Sequence, residues 1–423
     1  MSAFVVQLAA FAILSLAFLQ IVSTVVESLK ASRRAKEYDS LALEQMRLRV
    51  EAGTLSREVE RTKATSTWSG TRKFRVQRKL MEGGEICSFY LRPHDGKKIP
   101  PFEPGQYLTF NLKLQGRDRP LVRCYSLSDS PLETDYYRVS IKRVDAPPKN
   151  PEFPPGASST YFHKELEEGD ILDVKAPSGN FYLDLAKHTP VVLIGGGIGV
   201  TPMLSMLNTL CGLGSQREIW FFYGVRHGGE HIMREHLERL AAENENVKLQ
   251  ICYSDPREGE DELGKDYQYA ERVSVELFRR LLPSNNYEYY ICGPPPMMES
   301  ITSDLKEWGV PDSFVHFEAF GPASVKKTTT PKVESQGLSK VDVSFSRSGK
   351  TLSWDSSIGT LLDLAEANGI VMDFGCRAGS CGSCVTALKS GEVDYPEPPS
   401  AGPEDGTCLT CVAVPKSSLV LDA

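Results

Sequence analysis

The sequence has no excess of positive charge: Lys and Arg total 48 against 55 Asp and Glu, a formal net charge of −7. A chain without a basic field has little to condense on a phosphate backbone, so nucleic acid is excluded as an expected partner. It also lacks repeated long apolar runs. With 41% hydrophobic and 24% charged residues, the composition excludes a polytopic membrane protein, a collagen-like chain and full disorder. A disulfide framework is missing too. Of ten cysteines, Cys376, Cys381, Cys384, Cys408 and Cys411 crowd near the C-terminus while the others are scattered, which in so long a chain points to metal ligation. The seven histidines show no ligand spacing. What is present is length: 423 residues allow about three domains, each with its own core.

One long apolar run exists. Residues 3–26 carry no charged side chain and approach the ~20 apolar residues that span a bilayer as a helix. No basic residue precedes the run and no small-x-small site follows it, so it reads as a single transmembrane anchor rather than a cleaved signal. Lys30, Arg33, Arg34 and Lys36 follow it, and the positive-inside rule puts the remainder on the cytoplasmic side of an inner or cytoplasmic membrane. Residues 27–67, rich in Glu, Arg, Lys, Leu and Ala, suit a solvated helical stalk.

Residues 68–188 hold short alternating segments such as TRKFRVQRKL and QYLTFNLKL between Pro and Gly clusters, the pattern of an antiparallel β-barrel. Over 189–322, apolar strands alternate with helical stretches, which predicts an α/β domain with a parallel sheet. A Lys-, Thr-, Pro- and Ser-rich linker, 323–337, leads to a cysteine-rich domain, 338–423.

Cys376, Cys381 and Cys384 form Cx4CxxC within FGCRAGSCGSCVTA, the spacing of plant-type [2Fe-2S] ligation, which needs one distant fourth cysteine. Structural zinc uses pairs two to four residues apart on both sides and fits less well. Cys408 and Cys411 are both candidates for it; LTCVAVP around Cys411 resembles the ending of plant-type ferredoxins, and that resemblance makes Cys411 the expected fourth ligand and Cys408 a buried neighbour. In the α/β domain the strand VVLI runs into Gly195, Gly196, Gly197, Ile198 and Gly199, where a pyrophosphate could be approached by bare backbone at a helix N-terminus. Thr201 is expected as N-cap and Pro202 at the first helical position. The pattern is not a strict GxGxxG, since Val200 holds the last glycine position. By itself the loop reads better as a plain strand-to-helix turn. A second strand, YEYYI, ends at Cys292, Gly293 and Pro294.

Together RCYS (Arg123 to Ser126), PGQY (Pro104 to Tyr107), GGGIGVTPM and CGPPPMM resemble the ferredoxin reductase family of flavin and nicotinamide enzymes. With the ferredoxin-like module behind, the resemblance spans about residues 68–423, in the order found in reductase components of bacterial ring-hydroxylating oxygenases. The first two domains also resemble the reductase part of flavohaemoglobins. The resemblance implies that Arg123 contacts flavin phosphate, that Tyr125 packs on the isoalloxazine and that Ser126 hydrogen-bonds near the reactive nitrogen. It places Ser159, in GASSTYFH, at a phosphate-binding helix start. FMN relatives carry Arg three residues earlier, where Gly156 stands here, so FAD is expected. It sets Cys292 beside the nicotinamide, with Glu318 and Phe320 of HFEAFGPAS reaching back to the flavin and Phe320 covering the face the nicotinamide must occupy. Arg226 and His227 sit where a 2′-phosphate could be read, without a clear Ser/Arg pair, so NADH is preferred to NADPH.

The expected protein is thus a membrane-anchored NAD(P)H-dependent reductase. It would pass electrons from the nicotinamide through FAD to a [2Fe-2S] cluster and on to a membrane-associated oxygenase, hydroxylase or desaturase. The alternatives are a redox subunit of a respiratory or ion-translocating quinone reductase, and a non-catalytic redox sensor.

Overall fold

Six strands open the described chain: β1 (Thr71–Gly83), β2 (Ile86–Pro93), β3 (Tyr107–Leu112), β4 (Leu121–Ser126), β5 (Tyr137–Lys142) and β6 (Ile171–Ser178). They pair antiparallel in the order β4-β3-β6-β1-β2-β5. A bridge from Leu127 to Val139 joins the two edges, which closes the sheet into a barrel and removes its exposed edges. The barrel fills with Phe74, Phe89, Phe110, Phe162 and their apolar neighbours. The computed structural model describes residues 68, 70–117, 120–146, 152, 154–318, 320, 340–375, 377, 379, 382–396, 399 and 403–423, all within one compact unit, residues 67–423. The expected anchor and stalk lie outside the described residues, among which no helix is long and apolar enough to cross a membrane.

The second domain is a parallel sheet of β7 (Val191–Gly196), β8 (Ile219–Val225), β9 (Val247–Tyr253), β10 (Glu288–Cys292) and β11 (Val315–Glu318), in the order β11-β10-β7-β8-β9. Every residue of β7 is buried, as expected of a parallel strand covered on both faces. Strand order reverses between β7 and β10, where open α/β sheets place their ligands.

A polar joint fixes this domain on the barrel. Asp129 accepts from Asn208 Nδ2 at 2.9 Å and pairs with Arg138 at 3.2 Å, while Ser205 Oγ donates to the Asp129 carbonyl at 2.7 Å. The β1–β2 turn also abuts the second domain. Gly84 has φ +52°, and a Cβ there would stand 2.9 Å from Glu230 Cα, so the close approach requires glycine.

The C-terminal domain is a mixed five-stranded sheet. Its strands are β12 (Val341–Phe345), β13 (Lys350–Trp354), β14 (Val385–Ser390), β16 (Thr407–Leu409) and β18 (Leu419–Leu421), ordered β13-β12-β18-β14-β16, and a short β15 (Val393–Asp394) pairs with β17 (Val414–Pro415). One helix, Leu361–Ala367, starts with a capping box. Thr360 Oγ1 accepts from the Asp363 N–H at 3.2 Å and Asp363 Oδ2 accepts from the Thr360 N–H at 2.9 Å. Two otherwise orphaned donors are thereby satisfied.

Candidate functional site

β4 carries three of the expected residues. Tyr125 lies edge-on to Phe110 and Phe162, with centroids 5.9 and 5.3 Å away, and its hydroxyl shares a 2.7 Å hydrogen bond with Ser158 Oγ. Burial pushes the Tyr125 phenol up, so it stays protonated. Arg123 Nη1 donates to the Val122 carbonyl at 2.7 Å. Burial lowers its pKa, although a guanidinium remains charged. Among the described residues it has no carboxylate partner. A half-buried cation without a protein anion suits a phosphate.

Gly156 caps a four-residue turn of helix, Ala157–Thr160. A Cβ there would lie 2.8 Å from Ser159 Oγ and 3.0 Å from Val144 Cβ, so an arginine could not stand at this position without a shift. Ser159 Oγ is engaged within the protein, donating to the Gly156 carbonyl at 3.0 Å and accepting from the Val144 N–H at 3.1 Å. Ser158, which no sequence signal distinguished from its neighbour, is the serine that reaches Tyr125.

The glycine loop has a different shape from the expected one. A 3₁₀ turn, Gly197–Gly199, leads into the helix Val200–Gly212, whose N-cap is Gly199. Thr201 is therefore inside the helix, and its hydroxyl donates back to the Ile198 carbonyl at 3.0 Å instead of capping. Pro202 is displaced from the first helical position to the third. The reason is packing: Cβ atoms at Gly196 and Gly199 would run into the loop after β10. One at Gly196 would sit 2.8 Å from Pro294 Cδ and 3.3 Å from Gly293 Cα, and one at Gly199 would overlap the Cys292 carbonyl. A Cβ at Gly195 would likewise stand 2.8 Å from Val200 Cα. Gly197, at φ +54°, has open space before it and is the position where a ligand could approach bare backbone.

Parallel register aligns three residues at the carboxyl ends of the strands: Gly195 opposite Cys292, and Cys292 opposite Glu318. Glu318 Oε2 accepts a 3.4 Å hydrogen bond from Ser126 Oγ. Burial, with the charge of Glu318, pushes the Cys292 thiol well above its ordinary range, so it is a neutral thiol. Phe320 packs against the apolar cluster to which Cys292 belongs. Strand ends of the two domains thus meet at Ser126 and Glu318.

Arg226 lies apart from these residues, after β8, on an open cleft of about 260 Å³ lined by Glu85, Lys142, Arg226, His227, Glu230 and Arg257. Its Nε donates to Glu230 Oε1 at 3.0 Å, and Lys142 stands 3.6 Å from the same carboxylate. Burial would raise the Glu230 pKa, but Arg226 and Lys142 outweigh it and hold the carboxyl at about 2. Arg226 is already paired.

In the C-terminal domain Cys384 Sγ and Cys411 Sγ are buried and 3.1 Å apart. Cys376 and Cys381 lie outside the described residues. Cys408 sits in β16 opposite Thr386, fully buried, with its thiol pushed up to about 12 by burial and the Cys384 sulfur. Two convergent sulfurs fit an iron ligand pair. Gly379 at φ +68° makes room, since a Cβ there would stand 2.9 Å from Pro399 Cβ.

Three family models match in chain order: an oxidoreductase FAD-binding domain over 74–182, an oxidoreductase NAD-binding domain over 193–303 and a 2Fe-2S iron-sulfur cluster binding domain over 346–416. A flavohemoprotein of Halalkalibacterium halodurans is 39% identical over 264 residues, 62% of this chain and 63% of that protein. The chain thus spans less than two thirds of the length of the curated flavohemoproteins it matches. The crystal structure of the flavohem-like FAD/NAD-binding domain of nitric oxide dioxygenase from Vibrio cholerae aligns at 31% identity with a TM-score of 0.53, covering 60% of this chain and 100% of that one. Phthalate dioxygenase reductase, described as a modular structure for electron transfer from pyridine nucleotides to [2Fe-2S], aligns at 27% identity and a TM-score of 0.50 over 84% of this chain and 98% of that one. The chain belongs to the ferredoxin reductase-type flavin and nicotinamide oxidoreductases, in the form that carries a fused 2Fe-2S domain.

Proposed function

We propose that this chain is an NAD(P)H-dependent reductase that delivers single electrons to a membrane-associated oxygenase, hydroxylase or desaturase. The observation that carries the reading is the convergence of Ser126, Cys292 and Glu318 where the barrel meets the α/β sheet. When bound, FAD accepts a hydride from the nicotinamide and releases electrons singly, and a [2Fe-2S] cluster carries one at a time.

The protein's own part is placement. Arg123 offers its uncompensated charge to the FAD phosphates, and Tyr125, fixed through Ser158, presents a rigid aromatic edge. Cys292 supplies a buried, uncharged sulfur that excludes water, and Ser126 and Glu318 orient one another across the domain boundary. Phe320 adds apolar surface to the cluster that contains Cys292. Cys376, Cys381, Cys384 and Cys411 would hold the cluster. The pairing of Arg226 with Glu230 supports NADH as donor, because a 2′-phosphate would have to displace or face that carboxylate.

Membrane attachment through residues 3–26 would concentrate the reductase beside its acceptor, with the catalytic domains on the cytoplasmic side. The test is anaerobic mixing of the purified full chain with NADH, following flavin and cluster absorbance, then reoxidation by a panel of membrane oxygenases and quinones. Fast reoxidation by a hydroxylase or desaturase supports the reading. Reoxidation by quinone alone replaces it with a respiratory quinone reductase.

A further inference from the structure

The ring of Phe374 is approached by two guanidinium groups. Arg123 Cζ, on β4 of the barrel, is 5.5 Å from the ring centroid, and Arg377 Cζ, in the cysteine loop, is 4.2 Å from it. Both distances lie within the range of cation–π attraction. Phe374 is two residues before Cys376, so the ring sits on the loop expected to wrap the cluster.

The two cations differ in what balances them. Arg377 forms a two-armed ion pair with Glu366 of the domain's helix, one arm being Nη1 to Oε2 at 3.0 Å. That pair and the ring hold Arg377 at φ +56°, a conformation L residues rarely adopt. Arg377 therefore presses the ring from within its own domain. Arg123 meets the opposite domain's ring with no carboxylate among the described residues. The positions that would hold the flavin phosphates and the iron–sulfur loop thus share one side chain.

We infer that Phe374 is a positioning residue that seats the iron–sulfur module on the flavin barrel through Arg123, so that flavin binding and module seating reinforce each other. A guanidinium already oriented by the ring loses less freedom when it takes a phosphate. By linkage, a bound flavin that holds Arg123 in place then favours the seated module to the same degree. The inference rests on the reading of Arg123 as a flavin phosphate ligand.

The test uses the full chain and the variants Phe374→Leu and Phe374→Tyr. Leu keeps apolar bulk but lacks the ring, whereas Tyr keeps the ring. Three quantities are read: the rate of flavin reduction by NADH, the subsequent rate of cluster reduction, and the FAD dissociation constant of flavin-stripped protein. For Phe374→Leu, flavin reduction should stay within about twofold, cluster reduction should fall about tenfold, and FAD should bind about three- to tenfold more weakly. Phe374→Tyr should restore both altered quantities. Parent-like cluster reduction and FAD affinity in Phe374→Leu would overturn the inference, as would losses that Tyr does not rescue. If the Leu variant loses its cluster, the FAD affinities of the Leu and Tyr variants decide. Failure of the parent to reduce its own cluster with NADH would instead remove the proposed function, leaving the affinity comparison to judge the docking contact.

Discussion

Ser126 Oγ donates to Glu318 Oε2 at 3.4 Å across 192 residues of chain. The first residue ends a barrel strand and the second ends the outermost strand of the α/β sheet, so this bond marks the join at which the two cofactor-binding domains act together. Beside it lies Cys292, in register with Glu318.

Cys292→Ala should slow flavin reduction by NADH roughly ten- to hundredfold, equivalent to about 1.4–3 kcal/mol of barrier. The buried sulfur is uncharged, so its removal costs orientation and water exclusion rather than a proton. Reoxidation of the cluster by a one-electron dye should be unchanged. Rapid-mixing absorbance measures both steps, and equal flavin-reduction rates would remove the role assigned to Cys292.

Cys411→Ser should lose the visible absorption of the cluster and its paramagnetic signal on reduction, while NADH still reduces the flavin. Cys408→Ser should keep both, because Cys408 is packed in β16 opposite Thr386 while the sulfur of Cys411 stands 3.1 Å from that of Cys384. A serine oxygen holds iron less well than a thiolate. The reverse outcome would move the fourth ligand to Cys408.

Gly199→Ala should destabilise the α/β domain by about 3 kcal/mol or more, since its Cβ would overlap backbone that cannot yield. Gly197→Ala faces open space and meets only a left-handed φ of +54°, a cost of about 1 kcal/mol. Thermal midpoints of the two variants should fall in that order.

His231 produces a pH dependence. Burial, followed by the Arg234 charge, lowers its pKa to about 4; its Nδ1 is 2.9 Å from the Tyr253 hydroxyl and its Nε2 is buried with no hydrogen-bond partner among the described residues. An unfolded chain takes up the proton near pH 6.5 and the folded one only near 4, so protons favour unfolding and stability falls as pH drops through that window. The loss approaches roughly 3 kcal/mol at the acid end. His231→Phe, which cannot titrate, should flatten the curve of thermal midpoint against pH between those values. An unchanged slope would show that other groups carry it.

Much of this architecture is local and so was legible in one dimension. The run VVLIGG has no polar face and can only be an inner parallel strand. The Cx4CxxC spacing is set by the reach of a short loop around iron. The family models over 74–182, 193–303 and 346–416 follow the order of domains read from these patterns.

The rest was decided by tertiary structure, because it depends on which backbones approach one another. Thr201 looks like a cap until the contact of Gly199 with the Cys292 carbonyl sets where the helix begins. Ser158 and Ser159 are adjacent and chemically alike, yet only the first faces Tyr125 while the second is tied to Gly156 and Val144. Arg226 stands where the sequence left a 2′-phosphate contact open, and the fold pairs it with Glu230, which Lys142 also approaches. Arg123 and Phe374 lie in different domains, and no periodicity or spacing relates them. Their contact exists because the folded unit sets the cysteine loop against barrel strand β4.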